Sequence, residues 1–367
     1  MSDTFGIDSC FCLIVNQKFP FRINQSLMIP ASRTSSIASR QPSRTKGLVV
    51  NQSRRVLHDV NSRLNAINPT GLNKQSNIMT RPRHDENEPE VFKPNHSMKR
   101  LGDPNDPQEV HEFDLEIFNF MKSFENKTLP NPNFFEGQTN ITPRMRATVI
   151  DWLVEVHRKL KMHTDTLYLT VYLMDQYLSH VDLDKTKYQR LGCAALLIAS
   201  KSEEIYPPSV KELVELADRS FTTIALSRME ASLFQTVSFH VNPILPPMFL
   251  KRFLRIVRTD LVLSMLSYFI LESSLLDVGF IGVPPSLLAA SSICLAMTIQ
   301  NGPGQWTPFL EANTGYRLED LAPTIDQLLA SVNNCKVSRF PTIRKKYSSV
   351  TMGSVSKIAF PENIKLI

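Results

Sequence analysis

The sequence predicts an all-α protein: two tandem five-helix bundles behind a disordered N-terminal leader. Three observations carry this expectation. Composition changes near residue 104, from a Ser-, Arg-, Asn-, Pro- and Thr-rich stretch to apolar residues at helical spacing. Two almost wholly apolar, small-residue helices recur, with Ala194-Ala195 and Ala289-Ala290 lying 95 positions apart. Proline pairs introduce helices in both halves, and the order of helices repeats. A length of 367 residues suits two domains of roughly 100–200 residues each. The expected boundaries are a leader over 1–104, a first bundle with a preceding helix over 105–241, a second bundle over 242–345, and a C-terminal tail over 346–367.

From Ala31 to Pro104 few apolar residues cluster, so the segment cannot bury enough surface to offset its ordering entropy. The charge divides accordingly. Residues 1–100 hold 15 Lys+Arg against 7 Asp+Glu, a net of +8, and the remainder is −2. The basic excess therefore belongs to the leader, which argues against nucleic acid as a partner of the globule. The five cysteines are scattered without a CxxC pair, which excludes a zinc ribbon by spacing and points to a reducing compartment. The apolar run Cys10–Val15 is too short for a signal-peptide core, and no stretch approaches the ~18 apolar residues of a membrane span. The expectation is a soluble protein of nucleus and cytoplasm with no membrane partner.

The elements follow in order. Thr142-Pro143 supplies a hydroxyl cap and a proline at the first helical position, and Met145, Val149, Trp152, Leu153, Val156 and Leu160 then form an apolar face. A second helix runs from Asp165 to Leu178, and a third, Tyr188–Ser200, has the small apolar side chains of a surrounded central helix. Pro207-Pro208 breaks the chain before a short helix through Val214, and Thr222 or Thr223 caps a fifth through Phe234. The second bundle reads as Met248–Val257, Leu263–Leu276, a buried helix Ser286–Met297, a loop at Asn301–Gly304, and Leu318–Val332.

Enzyme motifs are missing: the chain has no GxGxxG, GxxxxGK[ST], HExxH or GxSxG. Its eight histidines show no ligand spacing, and His157 and His163 are expected to be exposed on different faces of one helix. Neither a catalytic residue nor a metal or cofactor is expected. What remains are charges in apolar settings: Arg146, Asp175, Lys201 and Glu230. A buried charge costs several kcal/mol unless paired, so each is expected to find a partner, either within the fold or on another protein.

Three long segments carry a resemblance. Met145-Arg-Ala-Thr-Val-Ile-Asp-Trp-Leu-Val-Glu-Val156, Thr166–Asp175 and Leu196–Pro208 are similar to the cyclin box of A/B-type mitotic cyclins. Trp306-Thr-Pro and Thr314–Pro323 extend the likeness through about residue 350. The resemblance implies two five-helix cyclin-box domains and a regulatory subunit that binds and activates a cyclin-dependent protein kinase at G2/M. It implies that Lys201 and Glu230 contact the kinase and that Arg146 and Asp175 form a structural ion pair. It implies a docking groove for RxL-containing substrates or inhibitors, with Met145, Val149 and Trp152 as floor and Glu155 and Gln189 as polar contacts. In the leader, Arg54, Leu57 and Asn61 resemble a destruction box, which implies ubiquitination by the anaphase-promoting ubiquitin ligase.

The chain departs from the pattern in places. Ser202 stands where relatives have Phe or Tyr, Val149 replaces a usual Leu, and Asn61 sits one place early. A rival of another class is a cyclin-fold transcription factor of the general-initiation type, binding DNA and polymerase. That reading requires an N-terminal CxxC…CxxC ribbon and a basic second repeat, and the sequence has neither.

Overall fold

Thr142 accepts a hydrogen bond from the Met145 backbone N–H, and Pro143 opens the helix behind it. That cap starts the first bundle of the computed structural model, which describes residues 98–366. Among them an α-helix α1 (Asp114–Phe124) comes first. The first bundle follows as α2 (Pro143–Lys159), α3 (Thr164–Leu178), α4 (Tyr188–Glu203), α5 (Val210–Leu216) and α6 (Thr223–Thr236). The second is α7 (Pro246–Val257), α8 (Leu261–Ser273), α9 (Pro285–Asn301), α10 (Pro308–Thr314) and α11 (Leu318–Val337), with α12 (Thr342–Tyr347) behind it. No strand occurs among the described residues, and no helix there is long and apolar enough to cross a membrane.

The repeat is visible in the packing. Helix α4 is buried from Leu191 through Ser200 and is surrounded by α2, α3 and α6. Helix α9 is buried continuously from Leu288 to Thr298, against α7, α8 and α11. Small side chains permit both approaches. At Gly192 the tolerance is used up: a Cβ there would meet Val149 Cγ1 at 3.2 Å and Leu153 Cδ1 at 3.3 Å. Of the two candidate caps for α6, Thr222 is the one that bonds, to the Ala225 N–H.

Several expectations need correction. Helix α10 is an element absent from the sequence expectation, between the Asn301–Gly304 loop and Leu318; its signals, a Thr307 cap and Pro308, were present, but seven residues are too few to show a period. The leader boundary at 104 falls too late. Met98 and Leu101 are buried in the core, the Lys99 N–H donates to Asn313 Oδ1 at 2.7 Å, and the Leu101 N–H donates to Asp114 at 2.8 Å. The helix assigned as a preface to the first bundle leans on the second. Phe118 meets Phe249 and Phe253 edge-on at 6.0 and 6.3 Å, and the buried carboxylate of Glu125 caps α9 through the Ser286 N–H (2.8 Å) and hydroxyl (2.7 Å).

The tail also belongs to the body. A cut at 345 would divide α12, where Thr342, Ile343 and Tyr347 are buried. Its N-terminus is held by the first bundle, since Asp151 accepts from the Thr342 N–H (2.9 Å) and hydroxyl (2.8 Å). Its C-terminus is held by the second. There Lys346 Nζ and the Tyr347 hydroxyl both donate to the fully buried Glu272, at 2.6 and 2.8 Å.

Candidate functional site

Helix α2 crosses α3 close to the second bundle and brings Arg146 opposite Asp175. The guanidinium spans the carboxylate with two bonds of 2.7 Å, and both side chains are almost wholly buried. Its remaining Nη1 donates to the Leu275 carbonyl at 2.8 Å, across the boundary between bundles. The fork geometry uses donors that a lysine lacks. Burial alone would lower the Arg146 pKa, but Asp175 outweighs it and the guanidinium is held charged.

Lys201 and Glu230 also pair, at 2.5 Å, yet their setting differs from the sequence expectation. Lys201 ends α4 just past its buried stretch, and its side chain is 53% exposed, against 21% for Glu230. The apolar neighbours in sequence lie on other faces. This ion pair is therefore a surface feature contributing little to stability, and large apolar side chains are exposed on the same elements. Ile205 and Tyr206 follow it, exposed by 70% and 89%, and Ile224 opens α6 at 64%. An open cleft of about 500 Å³ lies between α5 and α6, lined by Val210, Ile224, Ser227 and Ala231 among others. Phe234, one turn beyond Glu230, carries Phe239 edge-on at 4.9 Å.

Phe239 was not foreseen. It is exposed, and it and Ser238 both take left-handed backbone conformations (φ 64° and 51°) that a bulky residue adopts at a cost. The run Thr236-Val-Ser-Phe-His240 contains no glycine to announce the turn. At Ser202 the hydroxyl donates to Glu203 at 3.2 Å, so this end of α4 lacks a large side chain at that point.

On α2 itself, Met145, Val149 and Trp152 are half-buried and packed on the core, forming one line by their spacing. Gln189 is half-buried near the start of α4. Glu155 is exposed, but it is engaged by Arg158 within its own helix at 2.5 Å. Arg54, Leu57 and Asn61 lie outside the described residues.

The two histidines read as one exposed pair belong to different elements. His157 lies in α2 and is buried; His163 precedes α3, and its carbonyl accepts from His157 Nε2 at 2.7 Å. His157 Nδ1 has no partner, and burial, then Lys346, push the imidazole pKa down. Among the described residues no group of three His, Cys, Asp or Glu could hold a metal.

Two family models match, the cyclin N-terminal domain over residues 116–242 and the cyclin C-terminal domain over 244–361. Together they cover the two bundles end to end. The chain belongs to the cyclin family. Its two cyclin boxes are α2–α6 and α7–α11. Among curated proteins it is 36% identical over 261 residues to a chicken (Gallus gallus) G2/mitotic-specific cyclin-B3, covering 71% of this chain and 64% of that one. It is 35% identical over 253 residues to a G2/mitotic-specific cyclin-A of Hydra viridissima, covering 68% and 60%. It is 32% identical over 255 residues to a cyclin-B2-2 of Oryza sativa subsp. indica, covering 70% and 61%. The chain thus spans about three fifths of the length of these relatives. A viral cyclin from herpesvirus saimiri superposes with a TM-score of 0.54 at 21% identity, covering 59% of this chain and 96% of that one, which establishes the shared fold.

Proposed function

We propose that this cyclin is a non-catalytic regulatory subunit that binds and activates a cyclin-dependent protein kinase and drives mitotic (G2/M) progression. The observation that carries the reading is the Lys201–Glu230 pair, an ion pair held at the surface between α4 and α6, on a chain that also exposes Ile205 and Tyr206 just past α4 and Ile224 and Phe239 at the two ends of α6. Large apolar side chains around a paired charge have the anatomy of a protein-binding face. The names of its relatives, G2/mitotic-specific cyclins of A and B type, support the schedule. Activation would follow from this face preferring the active position of a mobile kinase element, a population shift driven by differential contacts. Phosphoryl transfer would be the kinase's own.

The line of Met145, Val149 and Trp152 would form a docking groove that recruits substrates or inhibitors through a short apolar peptide motif. The leader, through Arg54, Leu57 and Asn61, would present the chain to the anaphase-promoting ubiquitin ligase. Both the nucleus and the cytoplasm are the proposed locations.

The deciding experiment incubates the full chain with a cyclin-dependent kinase, isolates the complex and measures histone phosphorylation. Binding with activation is the expected result, and binding without activation, or none, overturns the reading. Reversing both charges of the surface pair (Lys201→Glu with Glu230→Lys) tests the face itself. Pairing within the chain survives the swap, so stability should hold while kinase affinity falls. Changing Arg54 and Leu57 to Ala should lengthen the protein's lifetime at mitotic exit, and unchanged turnover removes the degron.

A further inference from the structure

Glu155 is the carboxylate that would face a ligand arginine at the end of the groove, and it is already taken. Arg158, one turn further along α2, donates through Nη2 at 2.5 Å to one carboxylate oxygen and through Nε at 3.1 Å to the other. Lys159, at i+4 from Glu155, falls seven residues after Trp152 and so continues the Met145–Val149–Trp152 line. A third cation comes from the far end of the chain: Asp151 anchors α12 against α2, and the exposed Lys345 of α12 adds its positive charge to the field at the same carboxylate. The hydrogen bond from Arg158 holds the Glu155 carboxyl below the usual carboxylate range, and Lys345 and Lys159 add to the effect. All four side chains are exposed. This end of the groove therefore presents three cations to one carboxylate.

We propose that the groove selects apolar peptide segments flanked by Asp or Glu, in place of segments flanked by Arg. The inference rests on the reading of Met145, Val149 and Trp152 as a docking floor and specifies which peptides that floor takes. A ligand guanidinium arriving here meets a neutralised carboxylate and a surplus of positive charge. A ligand carboxylate meets Arg158, Lys159 and Lys345. Breaking the exposed Glu155–Arg158 pair is no barrier in itself, because such pairs are worth little in water. The sign of the local field decides, and complementarity of this kind governs specificity more than total affinity.

The test uses the full chain and two fluorescein-labelled peptides that differ at one residue, with cores Arg-Ala-Leu-Leu and Glu-Ala-Leu-Leu. Fluorescence anisotropy should show the Glu peptide binding about five- to tenfold tighter at low salt, with the preference shrinking as salt shortens the screening length. Charge reversal by Arg158→Glu with Lys345→Glu, both exposed positions, should invert the preference. Trp152→Ala should weaken both peptides alike. Equal binding, or tighter binding of the Arg peptide, overturns the inference and leaves the groove intact. Failure of both peptides to bind overturns the groove reading itself, and the inference with it. Binding of the Glu peptide that survives Trp152→Ala puts the contact elsewhere and also overturns the inference.

Discussion

The imidazole of His157 can accept a second proton only at Nδ1, where no acceptor waits, and Lys346 stands close enough to repel the added charge. Its pKa in the folded protein is therefore below the ordinary value of 6.5. The sign follows from linkage: the unfolded chain binds this proton more readily, so stability is full above pH 6.5 and falls as pH drops through the lower folded value. Urea unfolding at a series of pH values should show that decline, and His157→Gln should flatten it, whatever its effect at neutral pH. Sequence alone made the wrong assignment here, because burial of a single side chain depends on which neighbour covers it. Arg158 and Glu155 were legible as an i, i+3 pair, yet family likeness drew attention to Glu155 as an acceptor and away from the cation already on it. Arg146 and Asp175, in contrast, stood out as charges within apolar helical faces, and the fold brings the two together.

Helices with a full apolar face were readable from spacing: α2, α3, α4, α7, α8 and α9 begin within about three residues of their expected starts. Short elements were not. Helix α10 has seven residues, too few to show a period despite its local Thr307 cap, and α12 has six, with its N-terminus held from a distant part of the chain. For α12 the distant part is Asp151, which does from another helix what a capping residue does locally. Asp151→Ala should cost about 1 kcal/mol, as the loss of an N-cap does. It should also speed tryptic cleavage at Lys345 while leaving the bulk helical signal unchanged, measured by limited proteolysis and circular dichroism. A cleavage rate equal to that of the parent protein would show that Glu272 and its two donors hold the helix unaided. The same variant loosens the helix that carries Lys345, which links this small element to the charge at the groove's end.

The two halves of the body, residues 116–242 and 244–361, are tied to each other by at least four contacts that neither half can make alone. Arg146 holds the Leu275 carbonyl, Glu125 holds Ser286, Asp151 holds Thr342, and Lys251 pairs with Asp165. Calorimetry of the full chain should accordingly show one unfolding transition for the body, and a fragment ending at 241 should be far less stable than its share of the core implies. Arg146→Ala should lower that transition by about 3–5 kcal/mol in stability, because it leaves Asp175 buried without a counter-charge. Two separated transitions in the parent protein would contradict the coupling. Tandem duplication was legible from the repeated order of helices, whereas the coupling was not, because each tie joins residues more than 85 positions apart.

The seat of the first described residues has a consequence for synthesis. The Lys99 N–H is held by Asn313, 214 positions later, and the Lys99 carbonyl by Arg252 at 3.1 Å. A chain made from its N-terminus on the ribosome reaches residue 99 long before either partner exists. The first box can collapse around α4 and Leu101 can find Asp114 while translation continues, but the Lys99 amide must wait for its partner until α10 has emerged. Ribosome stalling before Asn313 would leave the nascent protein with Lys99 unanchored and its second box incomplete.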